Sequence, residues 1–269
     1  MKKVILFLII TFVPILVSAQ NNNFCNLTTE EISNIRNYLN ETDISKLSCD
    51  MLNGIKNDKN ITIDYKKYNE LLYDDGINSY NYLIDENSIE YIPQASNSHT
   101  TTYKKLNVTV LNSVSSDGSY KYISVEADLI WKKMPRVRDF DAFGLVVSNG
   151  NIGFSSSDFH LIEVADNNAT RKNYTFVNDT NNRGYAFVFG INANASRVLT
   201  YKLYTKGTVA NNPSKVNVSY QHATTKLSLN DATSINFSTS GYGGVFNYRT
   251  ANARNSYDQM AGLSFNLNW

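Results

Sequence analysis

The sequence predicts a mainly β protein: an antiparallel β sandwich or jelly roll preceded by a small helical N-terminal segment. Three observations predict it. Beyond about residue 100 the apolar residues alternate with period two, which puts one face of a strand in a core and the other toward water. Turn residues cut this pattern into many short runs, the spacing of sandwiches and barrels. Helical spacing is clearest between Cys25 and about Asn57, ahead of that pattern.

The chain opens with Lys2 and Lys3, an uncharged apolar run from Val4 to Val17, and Val17-Ser18-Ala19. This is the pattern of a secretory signal peptide, residues 1–19, with cleavage expected before Gln20. The run is shorter than the roughly 20 apolar residues of a membrane-spanning helix. Cys25 lies away from the cleavage point, which argues against a lipid anchor.

Residues 20–95 are expected to form a helical N-terminal segment. Thr28 and Glu31 fit a capping box, flanked by Leu27 and Ile32 at staple spacing, and Ile32, Ile35 and Leu39 share one helical face. Asp43 is expected to cap a second helix carrying Ile44, Leu47, Met51, Leu52 and Ile55. Cys25 and Cys49 are the only cysteines. An even count in an exported chain points to one disulfide across this hairpin. Asp64 is expected to cap a third short helix running through Glu70, Leu71 and Leu72.

Residues 92–102 shift to Pro, Ser, Asn, His and Thr, a linker signal, so a β-sandwich domain is expected over residues 96–269. Leu106, Val108 and Val110 point one way. Ser116-Asp117-Gly118 is a turn. Ile123, Val125, Ala127, Leu129 and Trp131 line one face of a strand, and Tyr122, Ser124, Glu126 and Asp128 line the other. Further runs, mostly shorter than the 9–11 residues of a membrane-spanning strand, extend to Leu263–Trp269. Asn149-Gly150, Asn181-Asn182 and Asn211-Asn212-Pro213 separate some of them.

Composition excludes several function classes. With Lys2 and Lys3 removed, the formal net charge falls from +1 to −1. Such a chain has no global attraction to nucleic acid. Hydrophobic residues make up 42% of the chain, enough to bury a core, so global disorder is excluded. The Asn-x-Ser/Thr triplets at Asn26, Asn107, Asn173 and Asn236 are glycosylation acceptors if the secretory pathway is eukaryotic; the blander reading, chance in an Asn-rich, Ser/Thr-rich chain, is preferred.

The densest chemical feature is Trp131-Lys132-Lys133-Met134-Pro135-Arg136-Val137-Arg138-Asp139. Lys132, Lys133, Arg136 and Arg138 at a strand end form a candidate contact for an anionic cell-surface polymer or lipid. The blander reading is a solvated loop whose cations pair with Asp139 and Asp141. Trp131 continues the register of Leu129 and Ala127 and is expected to face the core.

The remaining constellations carry less. Asp139 and Asp141 lie on one side of a strand but are too few oxygen ligands for Ca²⁺. His99, His160 and His222 stand in no metal-ligand spacing, and Asp158 with His160 reads as structural. Gly241-Tyr242-Gly243-Gly244 lacks the lysine of a phosphate loop. Tyr122, Tyr201, Tyr204, Tyr242 and Tyr248 are sugar-stacking candidates, though tyrosine is also an ordinary strand residue. No catalytic, cofactor or metal residues are assigned, and no feature sets the oligomeric state.

The Trp131–Pro135 stretch with Arg136, Arg138 and Asp139 resembles a segment of an uncharacterised family of secreted β-rich proteins of Gram-positive bacteria. Tyr220-Gln221-His222-Ala223, Gly241 through Phe246, and Tyr257-Asp258-Gln259-Met260-Ala261-Gly262 extend the resemblance over roughly residues 100–269. It implies export and a β-rich domain, and it carries over no catalytic residues. The expected function is an exported, non-enzymatic binding or surface-associated protein. The alternatives are a membrane β-barrel or pore former, suggested by Leu263, Phe265, Leu267 and Trp269, and an extracellular hydrolase.

Overall fold

The computed structural model of the chain describes residues 24–74, 79–85, 99–197, 199–238, 246–258 and 263–269. The expected signal peptide, residues 92–98 of the expected linker, and residues 241–244 lie outside them.

A 3-10 turn at Phe24–Asn26 leads into helices α1 (Thr29–Arg36), α2 (Glu41–Ile44) and α3 (Cys49–Ile55). The Thr28–Glu31 capping box is present: Thr28 N–H donates to Glu31 Oε2 at 2.7 Å, and Glu31 N–H donates to Thr28 Oγ1 at 3.2 Å. Asp43 is not a cap. It sits inside α2, which Asn40 caps, while Ser48 caps α3. Asparagine and serine fill those positions because each accepts from an otherwise unpaired N–H of the first turn. Cys25 and Cys49 form the expected disulfide.

The strands follow in order: β1 (Lys59–Asp74), β2 (Ser79–Asp85), β3 (His99–Val114), β4 (Lys121–Trp131), β5 (Phe140–Val147), β6 (Asn151–Ala165) and β7 (Asn168–Arg171). After them come β8 (Thr175–Asn178), β9 (Gly184–Gly190), β10 (Leu199–Ala210) and β11 (Lys215–His222). The chain ends with α4 (Leu229–Ala232), β12 (Ile235–Phe237), β13 (Phe246–Tyr248), α5 (Ala251–Ser256) and β14 (Leu263–Asn266).

Two expectations for the N-terminal part need correction. The third helix is strand β1, so among the described residues the N-terminal helices end at Ile55 and the sheet begins at Lys59. Ile61-Thr62-Ile63 alternates with β-branched side chains, a pattern that favours the strand. Pairing supplies the rest: Ile63 sits opposite Leu111 and Tyr65 opposite Thr109. Strands β1, β3 and β6 span 16, 16 and 15 residues, longer than the apolar runs read from the sequence. The ladders continue through polar residues because the backbone bonds persist where the alternation ends.

A seven-stranded antiparallel sheet, in the order β2-β1-β3-β4-β10-β6-β7, faces a five-stranded one in the order β14-β11-β5-β9-β8. The alternating residues of β4, Ile123 to Trp131, are buried between the sheets as expected. They meet Phe143, Leu145, Tyr185, Phe187, Val218 and Phe265 from the other sheet. Leu263, Phe265 and Leu267 belong to this same core.

Each sheet is also covered on its outer face. Ile35, Leu47, Met51, Leu52 and Ile55 pack on Ile61, Leu111 and Tyr204 of the larger sheet. Gly54 permits this approach, since a Cβ there would collide with the Tyr204 hydroxyl. On the smaller sheet, Ala142, Val146, Ala186 and Val188 are covered by Leu227, Ile235, Phe237, Phe246 and Tyr248. The protein is thus a β sandwich between a disulfide-bridged helical cap and a C-terminal cap.

Candidate functional site

The basic turn leaves β4 at Trp131, and Trp131 is buried, as its register requires. Its ring meets His222 edge-on at 4.6 Å between centroids. The floor beneath the turn is a buried polar cluster. Lys104 lies 2.7 Å from Asp258 and places its ammonium over the rings of Trp131 and Tyr220. The other oxygen of Asp258 accepts from the His222 backbone N–H at 2.7 Å. His222 Nδ1 lies 2.7 Å from Asp141, which also accepts from the Tyr220 hydroxyl. Burial, with Asp141 alongside, holds that hydroxyl well above its ordinary pKa.

The His222–Asp141 pair has the look of part of a catalytic triad. Both side chains are almost fully buried, with 3% and 0% exposed. A general base must reach the proton it takes, so this pair reads as structural. His160 is on the opposite face of the larger sheet, tilted against Tyr204 at 6.1 Å.

The four predicted contact residues divide. Lys132, Lys133 and Arg136 are exposed. Arg138 is half-buried and its guanidinium donates to four carbonyls: Pro135 at 3.3 Å, Asn192 at 3.3 Å, Ala193 at 2.8 Å and Ala195 at 2.6 Å. It therefore ties the turn to the loop ahead of β10. The fork of Arg suits this task because several N–H groups diverge from one plane.

Two cations that sequence spacing did not single out join the three exposed ones. Leu199 of β10 pairs with Trp131, so the chain entering β10 runs beside the chain leaving β4 and brings exposed Arg197 alongside. Asp139 accepts from the Leu227 backbone N–H, which places exposed Lys226 next to the turn. Both stand in polar turns at strand ends. Only strand order shows that these turns share one end of the sandwich.

The carboxylates here are engaged in anchoring bonds. Asp139 holds Leu227, and Asp141 holds His222 and Tyr220. Asp166 accepts from the N–H groups of Ser196 and Arg197 at 2.9 and 2.7 Å. Glu163 is buried and accepts from Lys172, from Asn192 Nδ2 and from the Tyr201 hydroxyl, each at 2.9 Å. Among the described residues, none of Lys132, Lys133, Arg136, Arg197 and Lys226 stands in an ion pair.

The other candidates fare differently. Tyr201, Tyr204 and Tyr248 are buried, and Tyr122 is half-buried. The pleat turns the first of these into the sandwich core, and the caps cover the other two. Tyr242 lies outside the described residues. Asp139 and Asp141 find partners other than Arg136 and Arg138, and no cluster of three or more metal-type ligands occurs among the described residues. No protein-family model and no curated protein sequence matches the chain.

Proposed function

We propose that the protein is an exported, non-enzymatic binding protein that docks on a surface bearing repeated phosphate or sulfate groups. One observation carries the reading. Five exposed cations from three loops share one end of the sandwich, while the nearby carboxylates are engaged as anchors of those loops, Asp139, Asp141 and Glu163 inward and Asp166 on the backbone of the Arg197 loop. The mature chain is nearly neutral, so any attraction to an anion is local to this end. The anchors fix the loops beforehand, which lowers the ordering cost of binding. Export is supported by the signal-peptide pattern of residues 1–19 and by the disulfide, which persists in oxidising compartments.

The test is retention of the full mature chain on three supports: vesicles containing phosphatidylglycerol, isolated Gram-positive cell wall, and immobilised dextran sulfate. Phosphatidylcholine vesicles serve as the neutral control. The expected result is retention on at least one anionic support that weakens along a salt series, because screening sets in over about 8 Å at physiological ionic strength. The variant with Lys132, Lys133, Arg136, Arg197 and Lys226 all changed to Gln should lose it while keeping its β circular dichroism. The strongest arm identifies the anion. Equal retention of this variant and the unaltered chain would overturn the reading.

A further inference from the structure

A buried lysine faces a buried carboxyl across the floor of the basic end. Lys104 projects from β3 of the larger sheet, where it pairs with Trp131 of β4. Asp258 follows α5 in the C-terminal cap. Lys104 Nζ lies 2.7 Å from Asp258 Oδ2, and the two side chains are 4% and 7% exposed. The rings of Trp131 and Tyr220 wall the nitrogen, with centroids 5.2 and 4.6 Å away.

Attraction between opposite charges accounts for the contact but not for the way the site is built. Two ions taken out of water lose hydration that their mutual attraction often fails to offset. Condensation would remove both charges and release a water molecule from a dry site. The parts it needs are held in place. Asp258 is fixed by two bonds to one residue: its N–H donates to the His222 carbonyl at 2.9 Å, and its Oδ1 accepts from the His222 N–H at 2.7 Å. His222 is fixed in turn by Asp141, 2.7 Å from Nδ1, and by Trp131 against its ring. The carboxyl carbon is one bond beyond the oxygen that Lys104 touches. Reactants held that close gain effective concentrations of about 10⁵ M or more.

We infer that Lys104 and Asp258 join as an amide, a covalent cross-link between the larger sheet and the C-terminal cap. The ammonium passes a proton to Asp258 Oδ2, which leaves a neutral amine and a neutral acid. The nitrogen lone pair attacks Cγ, and the C–Oδ1 π pair moves onto Oδ1. There the His222 N–H meets the developing charge, as an oxyanion donor does. The Cγ–Oδ2 bond then breaks, and Oδ2 departs as water with its proton and one more from the nitrogen. One ammonium and one carboxylate become one amide and one water, so the balance closes without a co-reactant. The link spans 154 positions and fixes the floor under the basic turn. It goes beyond anion binding and does not depend on it.

Mass spectrometry of the full mature chain, purified folded and then reduced and denatured, tests it. The expected mass is one water below that of the sequence, apart from any ammonia lost where Gln20 cyclises. Tandem spectra of a digest should show a branched peptide joining Lys104 to Asp258. Lys104→Arg keeps a cation beside Asp258, and Asp258→Ala removes the carboxyl. Both variants should regain the missing water and run more slowly than the unaltered chain on a reducing, denaturing gel. Three results would overturn the inference: the full sequence mass in the folded unaltered chain, separate unbranched peptides carrying Lys104 and Asp258, or a water loss that Lys104→Arg retains, as a cyclic imide at Asp117-Gly118 would give. The first two are read on the unaltered chain, whether or not either variant folds.

Discussion

Arg138 and its neighbours show how residues of one type in one turn divide their tasks. Lys132, Lys133 and Arg136 point into solvent, whereas Arg138 holds carbonyls up to 57 positions away in sequence. Arg138→Gln should therefore destabilise the fold by about 1.5–3 kcal/mol, the range for hydrogen bonds to a charged group. Lys132→Gln, Lys133→Gln and Arg136→Gln should each stay within about 0.5 kcal/mol, as surface changes do. Urea unfolding checks both, and equal effects would show that Arg138 is no anchor. Asp128 gives a pH-dependent prediction. Its folded pKa is raised by burial, so its favourable contribution is fully present below its unfolded value of about 3.9 and is lost as pH rises through the folded value. Asp128→Asn should melt higher than the unaltered chain at neutral pH, and the gain should vanish below about pH 4. A pH-independent difference in melting temperature would contradict that account. Part of this scale was legible in the sequence. The direction of Trp131 follows from parity with Leu129, but the carbonyl partners of Arg138 arrive from a loop no local pattern connects to it.

At the scale of elements, the helical cap depends on tertiary support. Its helices are 8, 4 and 7 residues long, all below the roughly 12–15 residues at which an isolated helix becomes even marginal in water. The caps at Thr28, Asn40 and Ser48, the apolar face on Ile61 and Leu111, and the Cys25–Cys49 bridge hold it in place. In the chain-entropy picture that bridge stabilises by roughly 3 kcal/mol. Replacing both cysteines with Ser should lower the unfolding free energy by about that amount. The sheet core should persist, because the bridge lies wholly within the cap. Chemical denaturation followed by both far-ultraviolet dichroism and tryptophan fluorescence measures it, and an unchanged midpoint would refute the role. The capping box and the apolar stripe were readable because they are local. The misreading of β1 as a helix has the same origin. Asp64 and Glu70–Leu72 satisfy a helical pattern locally, yet β3 is the partner that decides the conformation, and it lies across an intervening strand in sequence.

At the scale of the molecule, the fold is four layers in which each sheet has an inner face in the common core and an outer face beneath a cap. Antiparallel neighbours begin and end at the same ends, which brings the loop after β4, the loop before β10 and the loop after β11 together. The basic run at Lys132–Arg138 was visible from spacing, but Arg197 and Lys226 belong to it only through strand order. The central claim is that these three loops act as one contact surface. Hydrogen–deuterium exchange of the full mature chain, free and bound to the anionic support that retains it best, tests this directly. The account predicts slowed exchange on binding in residues 132–138, 192–197 and 223–228 together, with the outer face of the larger sheet unchanged. Slowing confined to the larger sheet, or to one of the three loops, would contradict it.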